Sequence, residues 1–186
     1  MKTEIIAIID RSGSMESIRK DAIGGFNSFL EDQKTVPGEA RMTLSIFDDR
    51  YDVLYTGKSL DEAEPLTEKT FVPRGGTALR DAIGRTLNAR IKEQGWADKV
   101  IVCILTDGGE NQSREFTQEQ IKTMITHAES HGWSFVFLAA NQDAFAVGAG
   151  YGIAAAGTMS FDSNAIGTQS AYASMSSMTR DLRTGV

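Results

Sequence analysis

The sequence predicts an α/β fold: a doubly wound, mostly parallel central sheet with one antiparallel edge strand and helices on both faces. Three observations lead there. Short apolar runs rich in β-branched or aromatic residues recur at Glu4–Ile9, Lys99–Leu105 and Trp133–Ala140, as in strands buried on both faces. Between these runs lie segments with apolar residues three and four apart, the period of a helix packed on one side. A further pair of strand-like runs, Arg41–Phe47 and Tyr51–Tyr55, is separated only by Asp48-Asp49-Arg50, so the two must be antiparallel. Strands that alternate with helices form a parallel sheet, and right-handed crossovers place helices on both faces.

The elements follow in order. After the first strand, the periodicity predicts a helix from about Met15 to Gln33, with Ile18, Ala22, Phe26, Phe29 and Leu30 on one face. Gly24-Gly25 weakens it locally and allows close packing. Val36-Pro37-Gly38 ends it. The hairpin follows, and then an irregular polar segment, Gly57–Gly76, in which Ser59 and Glu62 are spaced as a capping box around a short helical turn. Leu79, Ile83, Leu87 and Ile91 mark a helix running to about Gln94, stopped by Gly95. After the Lys99–Leu105 strand, Thr117 and Gln120 form a second capping box beside a Phe116–Ile121 staple. The helix they open carries Ile121, Met124, Ile125 and Ala128 and stops near Gly132. Beyond the Trp133–Ala140 strand come a helical segment, Ala144–Tyr151, and a short strand, Gly157–Phe161. A last helix starts at Asp162 or Ser163, with Tyr172, Met175, Met178 and Leu182 in one stripe.

The 186 residues suit one domain, 1–186, with a full core. A formal net charge of -6 argues against a general nucleic-acid or anionic-membrane binder. The single cysteine, Cys103, excludes an intrachain disulfide and lies in an apolar run, as an inert core residue does. No apolar stretch approaches the ~20 residues of a membrane span, and the first one is too short for a secretory leader. The expected location is the cytoplasm.

Function is concentrated in the loops that follow strands. Asp10-Arg11-Ser12-Gly13-Ser14 packs a carboxylate and two hydroxyls into one strand-to-helix turn. These are hard oxygen ligands, suited to Mg²⁺, Mn²⁺ or Ca²⁺. Thr77 follows Gly75-Gly76 at the head of a helix, and Asp107 follows the Lys99–Leu105 strand. Taken singly, Ser14 and Thr77 read equally as helix caps and Asp107-Gly108 as a turn. Together they meet at one crevice. If the first strand is central, the sheet order reverses between the strands ending at Asp10 and Asp107, and ligands bind at such a switch point.

This set resembles the von Willebrand factor A domain and its metal-ion-dependent adhesion site, whose signature is Asp-x-Ser-x-Ser, a distant Thr and a distant Asp. Asp10, Ser12, Ser14, Thr77 and Asp107 match in order. The resemblance implies a bound divalent cation, with Mg²⁺ as the first expectation. It implies that Ser12, Ser14 and Thr77 meet the cation directly, while the aspartates act partly through water. It also implies a protein-binding module that captures an Asp or Glu of a partner protein, of a stand-alone bacterial or phage type. Arg11 and Arg74 flank the motif; each taken singly reads as a solvated surface residue, and beside a bound cation they are expected to steer an acidic ligand.

The competing reading is a metal-dependent hydrolase or phosphatase at the same site. An aspartyl-phosphate phosphatase of the haloacid-dehalogenase type needs a second Asp two positions after the first, where this chain has Ser12. A phosphate-binding Gly-x-x-x-x-Gly-Lys loop does not occur. His127 and His131 lie one helical turn apart, but without the Glu of a His-Glu-x-x-His pair they read as a solvated helix end.

Overall fold

The computed structural model describes residues 1–93 and 95–186. Six strands form one sheet in the order β3-β2-β1-β4-β5-β6. They are β1 (Lys2–Asp10), β2 (Glu39–Phe47), β3 (Tyr51–Ser59), β4 (Lys99–Thr106), β5 (Trp133–Ala140) and β6 (Thr158–Phe161). Every neighbouring pair is parallel except β2–β3. The predicted fold class is the one observed. β1 is central, with β2 and β3 to one side and β4 onward to the other, so the order reverses between Asp10 and the end of β4.

The helices are α1 (Arg19–Thr35), α2 (Leu79–Lys92), α3 (Gln118–Ser130), α4 (Ala144–Gly150) and α5 (Ala165–Thr184). The expected end of α2 at Gln94 lies outside the described residues. Alternate side chains of β1 feed two cores. Ile5, Ala7 and Ile9 meet α1 and α5 through Phe26, Phe29, Leu30, Tyr172 and Met175. Ile6 and Ile8 meet Leu79, Ile83 and Leu87 of α2 and Ile121 and Ile125 of α3. Phe26, Phe29 and Phe137 are almost wholly enclosed, and truncating any one to Ala costs about 3–5 kcal/mol. Gly25 of α1 faces Tyr172 of α5 so closely that a Cβ there would stand 2.2 Å from the ring. Arg183, buried near the end of α5, donates to the carbonyls of Gln33 and Val36 where α1 ends. No described helix is long and apolar enough to cross a membrane.

Three local expectations need correction. The chain after β1 does not enter an α-helix at Met15. It first makes a 3₁₀ segment, Gly13–Ile18, tightened by a bond from the Met15 amide to the Ser12 carbonyl at 2.9 Å. β3 does not stop at Tyr55. It runs to Ser59 through two irregularities: Ser45 pairs with Val53 and Leu44 with Tyr55, which leaves Leu54 over. The second falls between Met42 and Leu44, where Gly57 takes a φ of 58°. Ser59 and Glu62 do bond, side chain to side chain at 2.7 Å, but they close a turn and open no helix. The Thr117–Gln120 capping box is present as predicted.

Candidate metal centre

The crevice at the carboxyl ends of β1 and β4 gathers the predicted residues from three loops. Asp10 ends β1 and is fully buried. Its Oδ1 accepts the Ser12 amide at 2.6 Å, and its Oδ2 accepts the Thr106 hydroxyl at 2.7 Å. Both oxygens are therefore committed to holding the turn. Ser12 Oγ lies 3.1 Å from Ser14 Oγ, and Ser14 Oγ donates to Asp107 Oδ1 at 2.7 Å. Thr77 belongs to the same cluster: a Cβ placed on Gly108 would be 3.5 Å from Thr77 Oγ1 and 3.7 Å from Ser14 Oγ.

The capping alternatives for the hydroxyls fall away. Ala78, not Thr77, precedes α2, and it makes no side-chain cap bond. Ser14 lies inside the 3₁₀ segment with its hydroxyl turned to Asp107. What locks Thr77 is its neighbour Asn111, whose Oδ1 accepts the Thr77 amide at 2.9 Å while the Thr77 carbonyl accepts the Asn111 amide at 3.0 Å.

Backbone contacts hold the loops in register. The Arg11 amide donates to the Phe47 carbonyl at 2.7 Å, and the Gly13 amide to the Gly75 carbonyl at 3.0 Å. Gly75 has a φ of 66°, and a Cβ there would also meet Asp49 Oδ1 at 2.2 Å, so a larger residue would be strained and would displace the Asp49 side chain. Asn141, left-handed at a φ of 57°, donates its side-chain amide to the Asp107 carbonyl at 2.9 Å.

Two carboxylates buried in one crevice resist ionisation. Burial pushes Asp10 up to about 6, against the hydrogen bonds from Thr106 and Ser12, and the charge of Asp107 adds to the rise. Burial likewise raises Asp107, against the hydroxyls of Ser14, Ser12 and Ser163 nearby, of which only that of Ser14 makes a well-formed hydrogen bond to it. Asp107 Oδ2 is buried and has no hydrogen-bond partner among the described residues. A buried carboxylate oxygen without a donor costs free energy unless a cation faces it. With three hydroxyls beside it, this set fits a hard divalent ion. No group of three or more His, Cys, Asp or Glu forms a metal cluster among the described residues; the crevice sets two carboxylates beside three hydroxyls.

Arg11 and Arg74 are not free charges beside the crevice. Arg11 is buried, with Nε 3.2 Å from Asp48 Oδ2 and its guanidinium also on Asp52. Arg74, about half exposed, donates from Nε to Asp48 Oδ2 at 2.8 Å. Burial alone would raise Asp48, but the bonds from Arg74 and the Arg50 amide and the charge of Arg11 hold it below the ordinary value. Sequence reading missed Thr106, Asn111, Asn141 and Gln142. The first precedes a recognised aspartate; nothing in the sequence marks the other three as neighbours of the crevice. His127 and His131 are exposed on α3 and its cap, outside the crevice, with ring centroids 4.4 Å apart.

No family model matches the chain, and no curated protein matches it either. Solved structures do. The proximal thread matrix protein 1 from the mussel byssus, solved with a zinc-occupied MIDAS motif, superposes with a TM-score of 0.69 at 15% identity, covering 96% of this chain and 46% of that one. The vWF domain of the type V pili tip protein Mfa5 from Porphyromonas gingivalis gives 0.65 at 11% identity, covering 95% and 94%. The von Willebrand factor type A structure from Catenulispora acidiphila gives 0.62 at 14%, covering 96% and 43%. The chain thus spans less than half the length of the byssus protein. At such identities the likeness concerns the backbone. With its sheet order and its single antiparallel edge strand, this chain has the von Willebrand factor A fold.

Proposed function

We propose that the chain is a protein-binding module in which Asp10, Ser12, Ser14, Thr77 and Asp107 hold one divalent cation, Mg²⁺ first among the candidates, and that an Asp or Glu of the partner protein completes the site. The observation that carries this reading is the buried, partnerless Asp107 Oδ2 beside the Ser12–Ser14 hydroxyl pair. When bound, the cation supplies positive charge that two carboxylates and three neutral hydroxyls leave open to an incoming carboxylate. Asp10 fixes the Ser12 amide and so the pitch of the turn. Asp107 orients the Ser14 hydroxyl, and Asn111 fixes Thr77. Steering by Arg74, half exposed at the rim, remains part of the proposal; Arg11 serves the Asp48–Asp52 network.

Binding is favoured over hydrolysis by the residue set, which has a serine at position 12 where a phosphatase of the haloacid-dehalogenase type needs its acid. The similar structures, a byssus matrix protein and a pilus tip domain, lean the same way. We place the module, as residues 1–186, in the cytoplasm of a bacterial or phage-infected cell. Two measurements test the core of the proposal. Calorimetric titration with Mg²⁺, Mn²⁺, Ca²⁺ and Zn²⁺ is expected to give one site per chain. Capture of a partner from lysate is expected in Mg²⁺ and not in EDTA, and single Asp→Asn or Glu→Gln changes in that partner should include one that abolishes capture. Binding that ignores EDTA would defeat the reading.

A further inference from the structure

A second recess opens beside the candidate metal centre. It measures about 410 Å³ and is lined by Arg80, Glu110, Gln118, Gln142, Val147 and Tyr151, among others. Its walls continue the loops of the crevice. Arg80 lies three residues beyond Thr77, and Glu110 three beyond Asp107. Gln142 donates its side-chain amide to the Gly108 carbonyl at 3.2 Å.

The polar groups of this recess divide sharply. Glu110 is saturated. Its Oε1 accepts the amides of Gln112 and Ser113 at 3.0 and 2.7 Å; its Oε2 accepts the Arg80 amide at 2.9 Å and the Ser113 hydroxyl at 2.6 Å. Four donors fill a carboxylate. The Arg80 side chain is the opposite case. Its Nε is buried without a partner, and the Glu110 carboxylate stands 3.9 Å from Nη2, beyond hydrogen-bond reach. Arg11 and Arg90 also have a buried Nε without a hydrogen bond, but they, like Arg74 and Arg85, each lie close against a carboxylate, whereas Arg80 has only the long ion pair to Glu110. The Tyr151 hydroxyl makes no hydrogen bond among the described residues and is open to solvent at the recess, while the rest of the residue is buried. Gln118 donates one amide hydrogen to the Gly150 carbonyl and keeps a second.

A guanidinium with open donors, a phenol and a carboxamide in one concavity match a planar oxyanion. The charge of Glu110 in the wall repels a doubly charged phosphate more than a singly charged carboxylate. We propose that this recess is a carboxylate subsite, with Arg80 as its fork and Tyr151 as its third donor, and that it takes a second acidic side chain of the same protein partner. The assignment to a carboxylate stands on the recess alone; its pairing with a first acidic residue rests on the metal-dependent reading above.

The test has two arms. In EDTA, the ¹⁵N-labelled chain is titrated with N-acetyl-glutamate N′-methylamide and, separately, with inorganic phosphate. The expected result is a saturable shift of the Arg80 Nε–Hε signal by the glutamate derivative, lost in Arg80→Gln. That variant keeps the residue-80 amide bond to Glu110 and should retain the parent's backbone spectrum. No saturable shift, or tighter binding of phosphate, overturns the carboxylate assignment. In Mg²⁺, peptides with one glutamate are compared with peptides carrying two, separated by one to four residues. One spacing should bind about tenfold tighter or better, by effective concentration, and Arg80→Gln should remove that gain alone. If EDTA abolishes all peptide binding and no spacing gains, the second contact is wrong and the metal reading stands. If binding ignores EDTA while the Arg80 shift persists, the metal reading fails and the subsite stands.

Discussion

Ser14 Oγ and Asp107 Oδ1 meet at 2.7 Å across 93 residues of sequence, joining the turn after β1 to the turn after β4. The second oxygen of the same carboxylate is left without a donor. Asp107→Ala and Ser14→Ala should each weaken divalent-ion affinity by about 10–100-fold or more, since partners of metal ligands already carry losses of that size. Calorimetry on both variants checks this. Thermal unfolding in EDTA should show Asp107→Ala at least as stable as the parent, because one of two repelling buried carboxylates is gone.

Acidity gives a second prediction. The folded chain holds the Asp10 proton up to about pH 6, whereas an unfolded chain releases it near 3.8. Between those values the folded state binds more protons, so this group's contribution falls as pH rises and its full cost is present above about pH 6. In EDTA, the stability of Asp10→Asn relative to the parent should therefore increase from pH 4 to pH 7. A difference independent of pH would show that Asp10 is not the titrating group.

Thr106 carries a third. Its hydroxyl is the partner of Asp10 Oδ2. Thr106→Val keeps the shape and removes the donor, which should cost about 1–3 kcal/mol in chemical denaturation. Thr106→Ser should restore most of it. Magnesium affinity should fall in the valine variant as well, since Asp10 also holds the Ser12 amide.

Much of this was legible in the sequence, and the reason is physical. β1, β4 and β5 are buried on both faces, so their apolar runs are unbroken, and α1 and α2 show their period because each buries one side. Asp10, Ser12, Ser14, Thr77 and Asp107 stood out as a set, because they lie in order within a few residues of such elements and match one signature. The rest depends on contacts that cross the chain. Arg11 reads as a surface charge until β2 and β3 bring Asp48 and Asp52 over it. Asn111 and Asn141 act through bonds to loops 34 residues away. The 3₁₀ start to α1 is set by the Ser12 carbonyl, which no side-chain pattern reports.

Gly25 supplies the fourth prediction. An added methyl group would stand 2.2 Å from Tyr172 Cδ2, so Gly25→Ala should destabilise the chain by about 1–3 kcal/mol despite the better helix propensity of alanine. Tyr172→Leu in the same background should recover part of that loss, and a double-mutant cycle measures the coupling.

The two irregularities in β3 bear on behaviour at high concentration. This strand ends the sheet, and Val53 and Leu54 on it are 48% and 36% exposed. A regular edge with that much apolar surface would template further strands from other molecules. Here the leftover residue at Leu54 and the left-handed Gly57 break the run of outward amides and bend it away from a straight ladder. Fibrillar stacking through this edge is therefore obstructed by the backbone itself, and a chain shortened by deletion of Leu54 should become markedly more prone to precipitate.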